Sequence, residues 1–132
     1  MKPEICIIDD DLVSQFATLY CIEQHFTDFH IIRFDNAKDA LSYFNSCVDN
    51  GEELPYIIFL DLVMDEMDGW TFLEKLDSLA EGIRKPDIYI LSAFTKIEDR
   101  SHAKTNHKIA GFFDKPLTKT MLNKVLTKDL AG

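Results

Sequence analysis

The amino-acid sequence predicts an α/β fold, a doubly wound sheet of five parallel strands alternating with five helices. Three observations carry that reading. Ile5-Cys6-Ile7-Ile8, Tyr56-Ile57-Ile58-Phe59-Leu60 and Ile88-Tyr89-Ile90-Leu91 are short apolar runs rich in β-branched and aromatic residues, the pattern of strands buried on both faces. Between the runs lie longer segments whose apolar residues recur at helical spacing, and right-handed crossovers turn that alternation into a parallel sheet. The third observation is that the runs end in polar side chains. Asp61 closes the central run, and a carboxylate there is costly in a core but suited to the crevice at the carboxyl edge of an open sheet.

The first strand, Ile5 to Ile8, ends in Asp9-Asp10-Asp11. Leu12, Phe16 and Leu19, with Val13 and Tyr20 beside them, then predict a helix up to about His25. Ile31 to Phe34 reads as the second strand. Asn36 can cap the next helix with Asp39 three places on, and Ala37, Ala40, Leu41, Phe44 and Val48 make its apolar face. Asp49 to Glu53 is a turn that returns the chain to the strand ending at Asp61.

After the loop signal Asp68-Gly69, the residues Trp70, Leu73, Leu76 and Leu79 or Ala80 predict a third helix, stopped by Gly82. Asp87 to Leu91 is the fourth strand, ending in Ser92-Ala93. The polar stretch from Glu98 to Asn106 is assigned the fourth helix on weak periodicity. Ala110 to Asp114 is the fifth strand and runs into Lys115-Pro116, while Thr118 can cap a fifth helix whose face is Met121, Leu122, Val125 and Leu126.

The 132 residues are expected to form one domain, residues 1–132, with no second module. The apolar share of 46% with 28% charged is that of a globular protein, and no apolar run nears the roughly 18 to 20 residues of a membrane span. With no signal-peptide pattern after Met1, a cytoplasmic location and no membrane insertion are expected. A formal net charge of -9 argues against nucleic acid as a partner, since phosphate neutralisation needs clustered Lys and Arg. Cys6, Cys21 and Cys47 lack metal or redox spacing and read as reduced core residues. His25, His30, His102 and His107 show no metal-ligand spacing either.

In such a sheet the ends of strands one, three, four and five converge on one crevice, bringing together Asp9 and Asp10, Asp61, Ser92 and Lys115. Three carboxylates so placed repel one another unless a cation sits among them. Hard oxygen donors without a thiolate or imidazole favour Mg²⁺, which keeps waters and takes remaining ligands from a phosphate. A lysine supplies charge to phosphate oxygens, a small hydroxyl supplies a hydrogen bond, and a main-chain carbonyl near Val63 can complete the coordination. Asp61 is then the natural nucleophile, because a carboxylate can carry a phosphoryl group as an acyl phosphate.

Taken in order, Ile-Ile-Asp9-Asp10-Asp11, Asp61-Leu-Val-Met-Asp-Glu-Met-Asp68-Gly69, Leu-Ser92-Ala93 and Gly111-Phe112-Phe-Asp-Lys115-Pro116 resemble the receiver domain of two-component response regulators, of the stand-alone kind. The resemblance covers essentially the whole chain and implies the strand order 2-1-3-4-5 of CheY-like proteins. It implies that Asp61 is the phosphoacceptor, taking its phosphoryl group from a sensor histidine kinase or a histidine phosphotransfer protein. By the same resemblance Asp9 and Asp10 hold Mg²⁺ with Asp61 and the Val63 carbonyl, Ser92 follows the phosphoryl group, Phe112 is the switch aromatic and Lys115 pairs with phosphoryl oxygens. The Lys115-Pro116 bond resembles the cis peptide usual there. A downstream protein partner would read the face of the fourth helix, fifth strand and fifth helix. The chain is accordingly expected to be a self-phosphorylating phosphoacceptor and not an enzyme in the usual sense.

This sequence also departs from the pattern. Asp65 replaces a common proline, Ser92 stands where Thr is as frequent, and Val63 and Phe94, at positions that resemble tuners of dephosphorylation, hold no water in place. A long-lived acyl phosphate is therefore expected. Other readings are a relay carrier serving a histidine phosphotransfer domain, a pseudo-receiver that binds without phosphorylation, a small-molecule phosphatase and a flavodoxin-like module. The phosphatase wants an acid/base carboxylate where Val63 stands, and a flavin phosphate would meet Asp9-Asp10-Asp11 instead of a small-residue phosphate loop.

Overall fold

The computed structural model describes residues 3–64, 66–93, 101, 106 and 108–131. Five strands, β1 (Glu4–Ile8), β2 (His30–Phe34), β3 (Ile57–Leu60), β4 (Asp87–Ser92) and β5 (Gly111–Asp114), form one sheet in the order β2-β1-β3-β4-β5. Every neighbouring pair is parallel. Among the described residues there are four helices, α1 (Leu12–His25), α2 (Ala37–Asp49), α3 (Gly69–Leu79) and α4 (Lys119–Ala131). The five-helix expectation is thus met by four, and the helix expected over Glu98 to Asn106 lies outside the described residues except for Ser101 and Asn106. No helix among the described residues is long and apolar enough to cross a membrane.

The apolar runs are continuous because each central strand serves two cores. On β1, β3 and β4 the residues Cys6, Ile8, Ile58, Leu60, Ile88 and Ile90 enter one layer with Phe44 of α2 and Phe72 of α3. Their neighbours Ile5, Ile7, Ile57, Phe59, Tyr89 and Leu91 point the other way, to Ile22 of α1 and Leu122, Val125 and Leu126 of α4. The two-residue period of a strand does the sorting.

Caps fall where the side chains can make them. Asp39 N–H donates to Asn36 Oδ1 at 2.7 Å, and Asn36 Nδ2 returns a bond to Asp39 Oδ2 at 2.9 Å. Asp11 accepts from the main chain of Val13 and Ser14, Asp68 from Thr71, and Thr118 from Met121. Gly51 takes φ +70° in the turn after α2, a conformation that costs other residues.

Helix α1 departs from the face its apolar spacing suggests. Phe16 and Tyr20 are 54% and 65% exposed, Leu12 and Val13 are exposed with them, and the buried residues are Gln15, Thr18 and Ile22. Burial of these polar groups is tolerated because they are bonded, Thr18 Oγ1 donating to Ser14 O at 3.1 Å and Gln15 donating to two carbonyls. The Arg33 guanidinium lies 4.9 Å from the centre of the Phe16 ring and partly covers the outward stripe.

Candidate functional site

Strand register builds the site. Ile8 pairs with Leu60, so the next residues, Asp9 and Asp61, leave the sheet side by side, and Asp61 N–H donates to Ile8 O at 3.0 Å. Ser92 pairs with Asp114, which places Lys115 one step beyond, its N–H donating to Ser92 O at 3.0 Å. One carboxylate oxygen from each of Asp9, Asp10 and Asp61 lies within 4.8 Å of the others; Asp9 and Asp61 are buried and Asp10 is half-buried.

The Asp61 carboxylate is held from three sides. Its Oδ1 accepts from Ser92 Oγ at 2.9 Å and from Val63 N–H at 3.2 Å, and its Oδ2 faces Lys115 Nζ at 3.1 Å. Lys115 Nζ also reaches Asp9 Oδ2 at 2.8 Å. Burial works against the Lys115 charge, but the hydrogen bond to Asp9 and the charges of Asp61 and Asp9 outweigh it, so its pKa is raised above the usual lysine value.

Three carboxylates against one ammonium leave an excess of formal negative charge in a partly desolvated crevice. Among the described residues the donors are hard oxygens throughout, with no thiolate or imidazole in the cluster. Such a set fits Mg²⁺, which favours carboxylates, waters and phosphate oxygens.

Five of the residues singled out from sequence, Asp9, Asp10, Asp61, Ser92 and Lys115, meet at this one edge. Val63 takes part through its N–H, and its side chain is exposed. Phe112 sits elsewhere: it pairs with Ile90 on β4 and packs half-buried against the α2–α3 core layer. The Lys115-Pro116 peptide is cis, as the resemblance implied. Met67 and Trp70 pack against the core, Cys6 and Cys47 are buried, and Cys21 is only half-buried, short of the core position expected for it. Asp65, Phe94, His102 and His107 lie outside the described residues.

Gly69, part of a loop signal with Asp68 in the sequence, has a stricter role in the structure. Its N–H donates to Leu62 O at 2.9 Å, and a Cβ there would stand 3.0 Å from both Asp61 O and Leu62 Cα. The backbone behind the Asp61 carboxylate is therefore packed directly against the start of α3, and a side chain at this position would force that backbone to shift. Nothing in the sequence distinguishes such a glycine from one in an open turn.

The family described as the response regulator receiver domain matches residues 5–127. In three dimensions the chain is similar to a two-component response regulator from Cytophaga hutchinsonii, with a TM-score of 0.81 at 24% identity and 100% of each chain covered. It is also similar to a response regulator receiver protein from Dyadobacter fermentans, with a TM-score of 0.79 at 25% identity, covering 96% of this chain and 97% of that one. An uncharacterized 14.6 kDa protein of Leptolyngbya boryana is 30% identical over 100 residues, 76% of this chain and 70% of that protein. Receiver domains are phosphoacceptor signalling modules that interact with histidine kinases or phosphotransfer proteins, and an acidic cluster such as Asp9, Asp10 and Asp61 is consistent with phosphorylation and Mg²⁺ binding. With the parallel 2-1-3-4-5 sheet delivering that cluster to its carboxyl edge, the chain belongs to the response regulator receiver domain family, the phosphoacceptors of two-component signalling.

Proposed function

We propose that Asp61 is the phosphoacceptor, that the donor is a phosphohistidine on a sensor histidine kinase or histidine phosphotransfer protein, and that phosphorylation switches binding to a downstream protein. The observation that carries this reading is the setting of the Asp61 carboxylate, oriented by Ser92, Val63 N–H and Lys115 with two further carboxylates alongside. A P–O bond forms at an Asp61 oxygen as the P–N bond to the donor breaks, and the imidazole leaves with a proton. Positioning and charge neutralisation govern such transfers. Ser92 and Lys115, already on the two Asp61 oxygens, are placed to pass their donors to the incoming phosphoryl oxygens.

Asp9, Asp10, Asp61 and the Val63 carbonyl would hold Mg²⁺. When bound, the ion supplies the positive charge that lets a phosphate approach a carboxylate. The donor must cover the crevice rim to deliver its phosphoryl group, and the exposed Leu12, Val13, Phe16 and Tyr20 begin just past Asp10 and Asp11, an apolar seat beside the acids. The downstream partner is assigned to β5 and α4 with the segment before β5. Stand-alone action by residues 1–132 as a single unit is part of the same proposal.

The deciding test is Mg²⁺-dependent phosphorylation by acetyl phosphate, read by intact mass. Wild type is expected to gain one phosphoryl group, about 80 Da, and Asp61→Ala to gain none. No gain by a folded wild type in the presence of Mg²⁺ would leave a pseudo-receiver. A second expectation concerns lifetime: the Val63 side chain, apolar and exposed beside the site, offers no polar atom to orient a hydrolytic water. Phosphate release from the purified acyl phosphate should take minutes or longer, and release within seconds would count against that account.

A further inference from the structure

We propose that Gln15 is a positioning residue for Mg²⁺ uptake, because its side-chain amide fixes the main chain from which the Asp9 and Asp10 carboxylates project. The inference rests on the reading of Asp9, Asp10 and Asp61 as the Mg²⁺ site.

Gln15 lies on α1, is only 4% exposed, and turns away from the apolar stripe on that helix. Its Nε2 donates to Asp9 O at 3.1 Å and to Phe34 O at 3.1 Å. The Phe34 carbonyl also accepts from Asp9 N–H at 3.1 Å, so the main chain of Asp9 is held on both sides, by β2 through its N–H and by Gln15 through its C=O. The Asp9 carbonyl belongs to the same rigid peptide plane as the Asp10 nitrogen. Holding that oxygen sets the direction in which the chain leaves β1, and with it the starting points of both carboxylates.

Ties within the loop carry the constraint further. Asp11 N–H donates to Asp9 Oδ1 at 3.0 Å, and Gln15 N–H donates to Asp11 O at 2.8 Å as the first bond of α1. A single side chain thus links helix, strand end and acidic corner. An apolar residue of the same length would fill the space but leave the Asp9 carbonyl without its amide partner, free to turn. Groups that orient ligands without touching the metal typically change affinity by about tenfold to a hundredfold when removed.

The test is calorimetric titration of the protein with MgCl₂, comparing wild type with Gln15→Met, which keeps length and loses the donor. Thr18→Val is the control, since Thr18 is equally buried on α1 but its hydroxyl donates within its own helix. The expected result is a Mg²⁺ Kd raised about tenfold or more in Gln15→Met and unchanged in Thr18→Val, with both folded by circular dichroism. Gln15→Asn, one methylene too short to span both carbonyls, is expected to show an intermediate Kd and serves if Gln15→Met does not fold. A folded Gln15→Met, or in its place a folded Gln15→Asn, that binds Mg²⁺ as tightly as wild type overturns the role of Gln15 and leaves the site reading standing. A wild type that binds no Mg²⁺, or an Asp10→Asn variant that binds as tightly as wild type, overturns the site reading and the positioning role with it.

Discussion

Phosphorylation of Lys115→Met by acetyl phosphate at saturating Mg²⁺ is expected to run about a hundredfold to a thousandfold slower than wild type, the usual cost of removing one preorganised donor from a developing oxyanion. Lys115 Nζ stands 2.8 Å from Asp9 and 3.1 Å from Asp61, so it is the cation poised where the phosphoryl oxygens arrive. The Mg²⁺ Kd of the variant should not rise while its rate falls, because methionine removes a competing positive charge from beside Asp9 and Asp61 and leaves every carboxylate in place. A rate within a few-fold of wild type would remove Lys115 from the transfer.

The same residue leaves a pH signature. Its pKa is raised in the folded protein above the ordinary 10.5, so its contribution to stability is fully present below that value and is lost as pH rises through the higher folded value. The urea midpoint of wild type should exceed that of Lys115→Met through neutral pH, with the difference closing only in the alkaline range above 10.5. Tyr43, whose pKa is pushed up to about 12 chiefly by burial, titrates in that range in both proteins and cancels in the difference.

Phe44→Ala is expected to destabilise the fold by about 3 to 5 kcal/mol in urea denaturation, a large part of the roughly 5 to 15 kcal/mol that holds a domain together. Phe44 is fully buried, with its ring 6.1 Å from Phe34 and 6.3 Å from Phe72, so it joins β2, α2 and α3 in one layer. Phe16→Ala removes the same ring from a half-open site and is expected to cost about 1 kcal/mol or less, mainly its contact with Arg33. Similar losses from the two variants would contradict the orientation of α1.

The contrast between Phe44 and Phe16 marks where the sequence could be read and where it could not. Helix α2 presents Ala37, Ala40 and Phe44 as its spacing says, because its polar residues all fall on the other side. Helix α1 has apolar residues on two faces, and its outward one is the more regular. The buried face is the one that carries Ile22 and Leu19 to the core, and Gln15 and Thr18 can share it because their polar atoms find partners at the strand ends and within the helix. Hydrophobic periodicity is blind to such partners, and it gave no sign of Gly69 either, whose need for space comes from the backbone of Asp61 and Leu62.

By itself, the sequence determined the alternation of strands and helices, the caps at Asn36 and Thr118, and the acidic, hydroxyl and lysine residues that end the strands, because these depend on residue type and near neighbours along the chain. The tertiary structure decided which of those ends meet. Parallel register sets Ile8 beside Leu60 and Ser92 beside Asp114, and so brings Asp9, Asp61, Ser92 and Lys115 within hydrogen-bonding reach while leaving Phe112 in the core layer. The distances that make chemistry are contacts between residues far apart in the chain, and only the packed sheet specifies them.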